Sequence, residues 1–80
     1  MLINHKPIVS SNIVSMGYEP TLQVLEVKFC NGRLYRYFKV PVDTYNCMIA
    51  EGVEGRSVGK FFISNVRNKF ICERVVCDDR

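Results

Sequence analysis

Eighty residues, 48% of them hydrophobic and carrying a net charge of +3, provide enough apolar material for one packed domain and no more. Five Phe and four Tyr exclude a disordered chain, and eleven Lys and Arg against eight Asp and Glu fall well short of the dense basic clusters of an electrostatic duplex binder. No apolar run suits a signal peptide or a membrane span, so the expectation is a cytoplasmic protein with reduced thiols and no membrane partner.

The segment through Ser11 is mixed in character, and a first strand is expected over Ile13–Tyr18, ended by a turn at Pro20. Leu22–Phe29 and Arg33–Val40 are rich in strand formers, with Asn31-Gly32 between them. That dipeptide is the preferred pair for a two-residue hairpin loop, because both positions take positive φ. A two-residue loop sets Phe29 opposite Leu34, Lys28 opposite Tyr35, Val27 opposite Arg36 and Glu26 opposite Tyr37. One face then carries Leu25, Val27, Phe29, Leu34, Arg36, Phe38 and Val40, a core face with one charged intruder. The other carries Glu26, Lys28, Arg33, Tyr35, Tyr37 and Lys39. A three-residue loop would shift this pairing. Arg36 needs a partner if buried, and Asp43 or Glu51 would serve.

Pro41 stops the strand and suits a helix first turn, after which Val42, Tyr45, Met48 and Ile49 recur at helical spacing up to Gly52. Residues 52–56 read as a loop. Ser57 is an N-cap for a second helix whose stripe is Val58, Phe62, Val66 and Phe70, supplemented by Phe61. Both helices are too short to stand alone and must pack on the core face. The tail from Ile71 can add an edge strand through Val76, with Asp78–Arg80 frayed. The predicted fold is therefore α+β: a three-stranded antiparallel meander followed by two short helices on one face, with a possible C-terminal edge strand. It forms a single domain over 1–80, with its core over about 8–70 and a tail over 71–80.

The cysteines at 30, 47, 72 and 77 include no C-x-x-C pair, and the sole histidine is His5 near the N-terminus, so neither a structural metal nor a cofactor is expected. Each Cys reads as a small buried hydrophobe. Gly55-x-x-x-Gly59-Lys60 is one residue short of a phosphate-binding Gly-rich loop, and Phe61 stands where a magnesium-binding hydroxyl would be, which argues against nucleotide hydrolysis. The acids are scattered and the serines lack an evident base. Ser10 and Ser11 are expected to satisfy local backbone groups, and no enzymatic activity is expected.

Ser10-Ser11-Asn12-Ile13, Gly17-Tyr18, Leu25-x-Val27-x-Phe29 and Gly32 resemble the opening of the lysyl-tRNA-synthetase C-terminal-like (KTSC) domain. Tyr35-Arg36-Tyr37 and Val40-Pro41 match its central Y-x-Y and V-P. Ser57-x-Gly59-Lys60-Phe61-Phe62, Val66-Arg67 and Phe70 resemble its closing segment. The loop between Ala50 and Ser57 is longer than the family pattern, and Phe70 replaces a closing Tyr. The resemblance implies a small domain found at the end of some lysyl-tRNA synthetases or free-standing in bacteria and phages, with RNA binding suggested by that placement.

Single-stranded RNA binders combine cations for phosphates with rings on which bases stack. Tyr35 and Tyr37 would stack, while Lys28, Arg33 and Lys39, with Lys60 and Arg67, would hold phosphates of RNA or a small nucleotide. The bland alternative is that the Tyr rings pack over their cross-strand neighbours. A third reading gives the same face to a protein partner or a second copy of the chain, with the Tyr rings as anchors, in one variant sequestering a small nucleotide between subunits.

Overall fold

The computed structural model describes residues 3–8, 10, 12–53 and 57–75. Among them the chain is α+β, in the order β1 (Lys6–Pro7), β2 (Ile13–Glu19), β3 (Val24–Phe29), β4 (Leu34–Tyr37), α1 (Val42–Val53), α2 (Val58–Asn65) and β5 (Cys72–Val75). The strands form one antiparallel sheet in sequence order, β1 to β5. The expected three-stranded meander is its centre, and the expected edge strand is β5. The two residues of β1 add a further edge that no periodicity announces.

The hairpin between β3 and β4 corrects the expected register. The Gly32 amide donates to the Phe29 carbonyl and the Phe29 amide to the Arg33 carbonyl, both at 2.9 Å. The loop is therefore Cys30-Asn31-Gly32, with Gly32 at φ +89° and the Asn31 side-chain oxygen accepting from the Arg33 amide. A turn followed by a left-handed glycine makes a three-residue hairpin loop. Pairing moves by one, to Leu25 with Tyr37, Glu26 with Arg36, Val27 with Tyr35 and Lys28 with Leu34. Tyr35 and Tyr37 thereby join Leu25, Val27 and Phe29 on the core face, while Arg36 and Leu34 leave it.

A bulge on β2 completes that face. Ile13 pairs with Phe29 and Ser15 with Lys28, so Val14 is the extra residue and stays 43% exposed. The bulge re-aims Ile13, so that Ile13 and Met16 are both buried despite their odd spacing. Both helices cover this face: Met48 of α1 and Val58, Phe62 and Val66 at α2 pack into one cluster with Leu25, Val27 and Tyr37. Val40 rejoins the cluster after a reversal at Lys39, whose φ is +59°.

The helices follow their sequence signals. Pro41 offers its carbonyl to Thr44, and Ser57 caps α2 by accepting the Lys60 amide at 3.1 Å. The α1 helix continues through Gly52 to Val53, past its expected end, and the rest of the expected loop (54–56) lies outside the described residues. Ser10 accepts from the Asn12 and Ile13 amides, as expected; Ser11 and the tail from Val76 lie outside the described residues. The cysteine expectation is overturned. Cys30, Cys47 and Cys72 are all exposed, because they occupy a turn, the outer side of α1 and an edge strand; Cys77 lies outside the described residues. No described helix is long and apolar enough to cross a membrane.

Candidate functional site

The seven residues nominated from sequence divide into two groups. Arg33, Tyr35, Tyr37 and Arg67 line one cleft of about 520 Å³, within the about 300–1,000 Å³ usual for small-molecule pockets. Lys28 is exposed on the opposite face of the sheet, Lys39 is exposed in the turn after β4, and Lys60 borders a separate depression with Glu51 and Ser57. Those three lysines do not converge on the cleft, because the corrected register and the helix positions send them elsewhere.

Alternation along β4 places residues 33, 35 and 37 on the side facing α2. The floor is aromatic. The Phe29 ring lies edge-on to Tyr35 at 5.8 Å and to Phe62 at 5.5 Å, and Tyr37 lies edge-on to Phe62 at 5.3 Å. The Tyr35 and Tyr37 rings are near-parallel, 23° apart with centroids at 6.5 Å. Asn12 and Asn31 add amides to the lining. Gly59 matters to this closure: a Cβ there would come within 3.3 Å of Ser10 Oγ, so glycine lets the first turn of α2 sit against the Ser10–Asn12 segment. Asn12, Asn31, Gly59 and Phe62 were not nominated from sequence; the bond from the Cys30 amide to the Asn12 carbonyl sets Asn12 beside the hairpin loop that holds Asn31, and the packing of α2 on the sheet brings Gly59 and Phe62 beside the tyrosines.

Arg33 and Arg67 are exposed, and neither forms an ion pair with another described residue. Tyr37 is only 3% exposed. Burial pushes its hydroxyl up to about 12, with Cys72 and Tyr35 adding to the effect and Arg67 opposing it. At neutral pH it is therefore an uncharged donor. No hydrogen bond joins that hydroxyl to another described residue, and among the described residues no sealed side-chain polar atom lacks a partner, so the hydroxyl of this cleft-lining residue keeps solvent access.

The opposite face holds a second polar cluster. Glu26, 5% exposed, accepts from Arg36 Nε at 2.6 Å and hydrogen-bonds His5 Nε2 at 2.6 Å, while His5 Nδ1 lies 2.8 Å from Ser15 Oγ. Arg36 thus finds its partner across the strand pair, rather than in Asp43 or Glu51 on the helix side. One serine does have a base within reach, contrary to expectation. Yet neither cleft includes Ser15, and its strand pairs with β1 on one side and β3 on the other, so the cluster reads as a clasp for the N-terminal segment. Gly17 accommodates that segment, since a Cβ there would overlap the Asn4 carbonyl oxygen.

Residues 9–70 match the sequence model of the KTSC domain. An uncharacterised protein of Stutzerimonas stutzeri is 40% identical over 53 residues, spanning 66% of this chain and 75% of that protein. A protein of Tsukamurella paurometabola is 32% identical over 65 residues, spanning 81% of this chain and 91% of its own length. The crystal structure of a KTSC domain protein from Yersinia pestis superposes with a TM-score of 0.80 at 29% identity, covering 94% of this chain and 100% of that one. Asn12, Tyr35, Tyr37, Gly59, Phe62 and Arg67, all within motifs that carry the resemblance, line the larger cleft, and the chain belongs to the KTSC domain family.

Proposed function

We propose that this domain is a non-catalytic binding module that takes a single nucleotide, free or within an RNA strand, into the cleft between β4 and α2. The observation that supports this most is the meeting, in one cleft of nucleotide scale, of aromatic rings with two arginines that form no ion pair with other described residues, all from positions far apart in sequence. A guanidinium binds phosphate bidentately, and an aromatic ring offers a face or edge to a base. The corrected register narrows the ligand. Because α2 covers the Tyr35/Tyr37 face, a strand has no open platform of rings to lie across, and access is through the cleft mouth.

The test is calorimetric titration with the four common ribonucleoside 5′-monophosphates at low and moderate salt, on wild type and on Arg33→Met. The expected result is binding that weakens as salt rises and is reduced at least several-fold in the variant. Absence of binding by all four at about 1 mM, where roughly −4 kcal/mol would already register, refutes the reading. A second copy of the chain is the other partner this family architecture admits, favoured by Ile71, which is 77% exposed beside the β5 edge. Light scattering on the protein alone tests it: a monomer at all concentrations removes that reading.

A further inference from the structure

The two arginines of the cleft do not sit side by side. Alternate residues along a strand are about 6.7 Å apart, so the Cα atoms of Arg33 and Tyr37 are separated by roughly 13 Å along β4. Arg33 stands at the hairpin end, directly after the Cys30-Asn31-Gly32 loop. Arg67 belongs to the other end. Its amide bonds to the Phe62 carbonyl at 3.0 Å as α2 finishes, and its charge acts on the Tyr37 hydroxyl, as that of Arg33 does not. Along β4, Tyr35 and Tyr37 lead from Arg33 toward that end, and all four residues line the cleft. At the Arg67 end there is a second donor, the Tyr37 hydroxyl, on a side chain that is 3% exposed and makes no hydrogen bond with the rest of the described protein. A hydroxyl that keeps solvent access on an otherwise buried side chain, and has no described protein partner, is a donor that a ligand atom in the cleft can use.

Resting on the nucleotide reading above, the geometry points to a ligand with two separated anionic groups flanking one base: a nucleoside carrying phosphate on both its 3′ and 5′ oxygens. Arg33 takes one phosphate, Arg67 with the Tyr37 hydroxyl takes the other, and the base lies against the tyrosines. An internal nucleotide of an RNA strand presents the same chemistry as a free nucleoside 3′,5′-bisphosphate, and both are candidate sources.

The experiment is titration of the full chain with the 3′,5′-bisphosphates of adenosine, cytidine, guanosine and uridine, and with the matching 3′- and 5′-monophosphates. The variants are Arg33→Met, Arg67→Met and Tyr37→Phe. Both arginines are exposed, and the third substitution keeps the packed ring, so all three preserve the fold. For at least one base, the bisphosphate is expected to bind about tenfold more tightly than either monophosphate, since each phosphate gains its own charge-assisted contact. Arg33→Met should weaken one monophosphate and spare the other. Arg67→Met and Tyr37→Phe should show the reverse pattern. A bisphosphate that binds no better than its best monophosphate overturns the inference, as does loss of the same monophosphate in both arginine variants. The nucleotide reading survives either result, because the monophosphates still bind; it falls together with the inference only if no nucleotide binds. An RNA tetranucleotide that binds more tightly than the bisphosphate assigns the ligand to a strand, and one that binds more weakly assigns it to a free nucleotide.

Discussion

Glu26 is the charged group whose removal should cost this small domain most. Its carboxylate receives two 2.6 Å hydrogen bonds, from His5 and Arg36, and its side chain is 6% exposed. Truncation to alanine leaves both partners facing a cavity. Breaking a buried pair costs about 3–5 kcal/mol, and hydrogen bonds to charged groups contribute about 1.5–3 kcal/mol each. The partner side chains are 21% and 22% exposed, so water reaches them and the lower end applies. The expected loss for Glu26→Ala is about 3 kcal/mol, a large share of the roughly 4–12 kcal/mol available to a chain of this length. Replacing both Glu26 and Arg36 by Met exchanges the charge pair for apolar packing, so the double variant should recover at least about half of that loss. Urea unfolding followed by circular dichroism measures this, with the denaturant slope held constant as the check that only the native state changed. A loss below about 1 kcal/mol for Glu26→Ala, or a double variant no more stable than the single one, would show that the clasp does not hold the sheet in the manner argued.

Three other perturbations have definite signs. Burial raises the Tyr37 hydroxyl to about 12, and it raises Tyr18 and Tyr45 above the usual value as well. The unfolded chain therefore releases these protons first, so the stability they contribute is complete below pH about 10 and is lost as pH rises toward 12, by the order of 2 kcal/mol from Tyr37 alone; urea midpoints at pH 9 and pH 11 that coincide would contradict this. Lys39 sits at φ +59° outside the cleft, so Lys39→Gly should raise stability by about 1 kcal/mol and leave nucleotide affinity unchanged; a drop in affinity would return Lys39 to the site. Gly17→Ala drives a methyl into the Asn4 backbone and to within 2.6 Å of Ile3 Cγ2, so it should cost about 1–3 kcal/mol and speed amide exchange at His5 and Lys6, whereas unchanged exchange there would mean that the N-terminal segment is held elsewhere.

The sheet, both helices and the N-cap at Ser57 were legible because each has a local chemical cause. The hairpin register was not, because Asn31-Gly32 suits both a two-residue and a three-residue loop, and the choice reverses which alternate residues face inward. The sign of the error was present in the residues. The two-residue reading set Arg36 among Val27, Phe29 and Phe38 and had to look to Asp43 or Glu51 on the helix side for its partner, whereas a shift of one pairs Arg36 with Glu26 and gathers Tyr35 and Tyr37 with Leu25 and Val27. Satisfying the buried charge would have selected the observed register. Arg33, Tyr35 and Tyr37 were read as members of an open sheet face, with Arg67 an added phosphate contact; that all four line one cleft was not legible, since nothing in a strand pattern says where a helix will lie. The β1 edge and the bulge at Val14 escaped notice because each depends on one or two residues meeting a distant partner, with no periodicity of their own.

The order in which the sheet is assembled has a consequence for motion. Strands β1 to β4 each pair with a sequence neighbour, but β5 reaches β4 only after the chain has passed through residues 38–71, which hold both helices. Closing so long an excursion carries an entropy cost that the short hairpins avoid, so this seam should form after them in folding and open as a unit with the excursion. Phe38 donates to Ile71 at the point where the excursion shuts, and α2 hangs inside it. A molecule held by Arg33 on the meander and by Arg67 within the excursion would bridge the seam from both banks. Occupancy would then slow amide exchange along β5, a strand the ligand never touches.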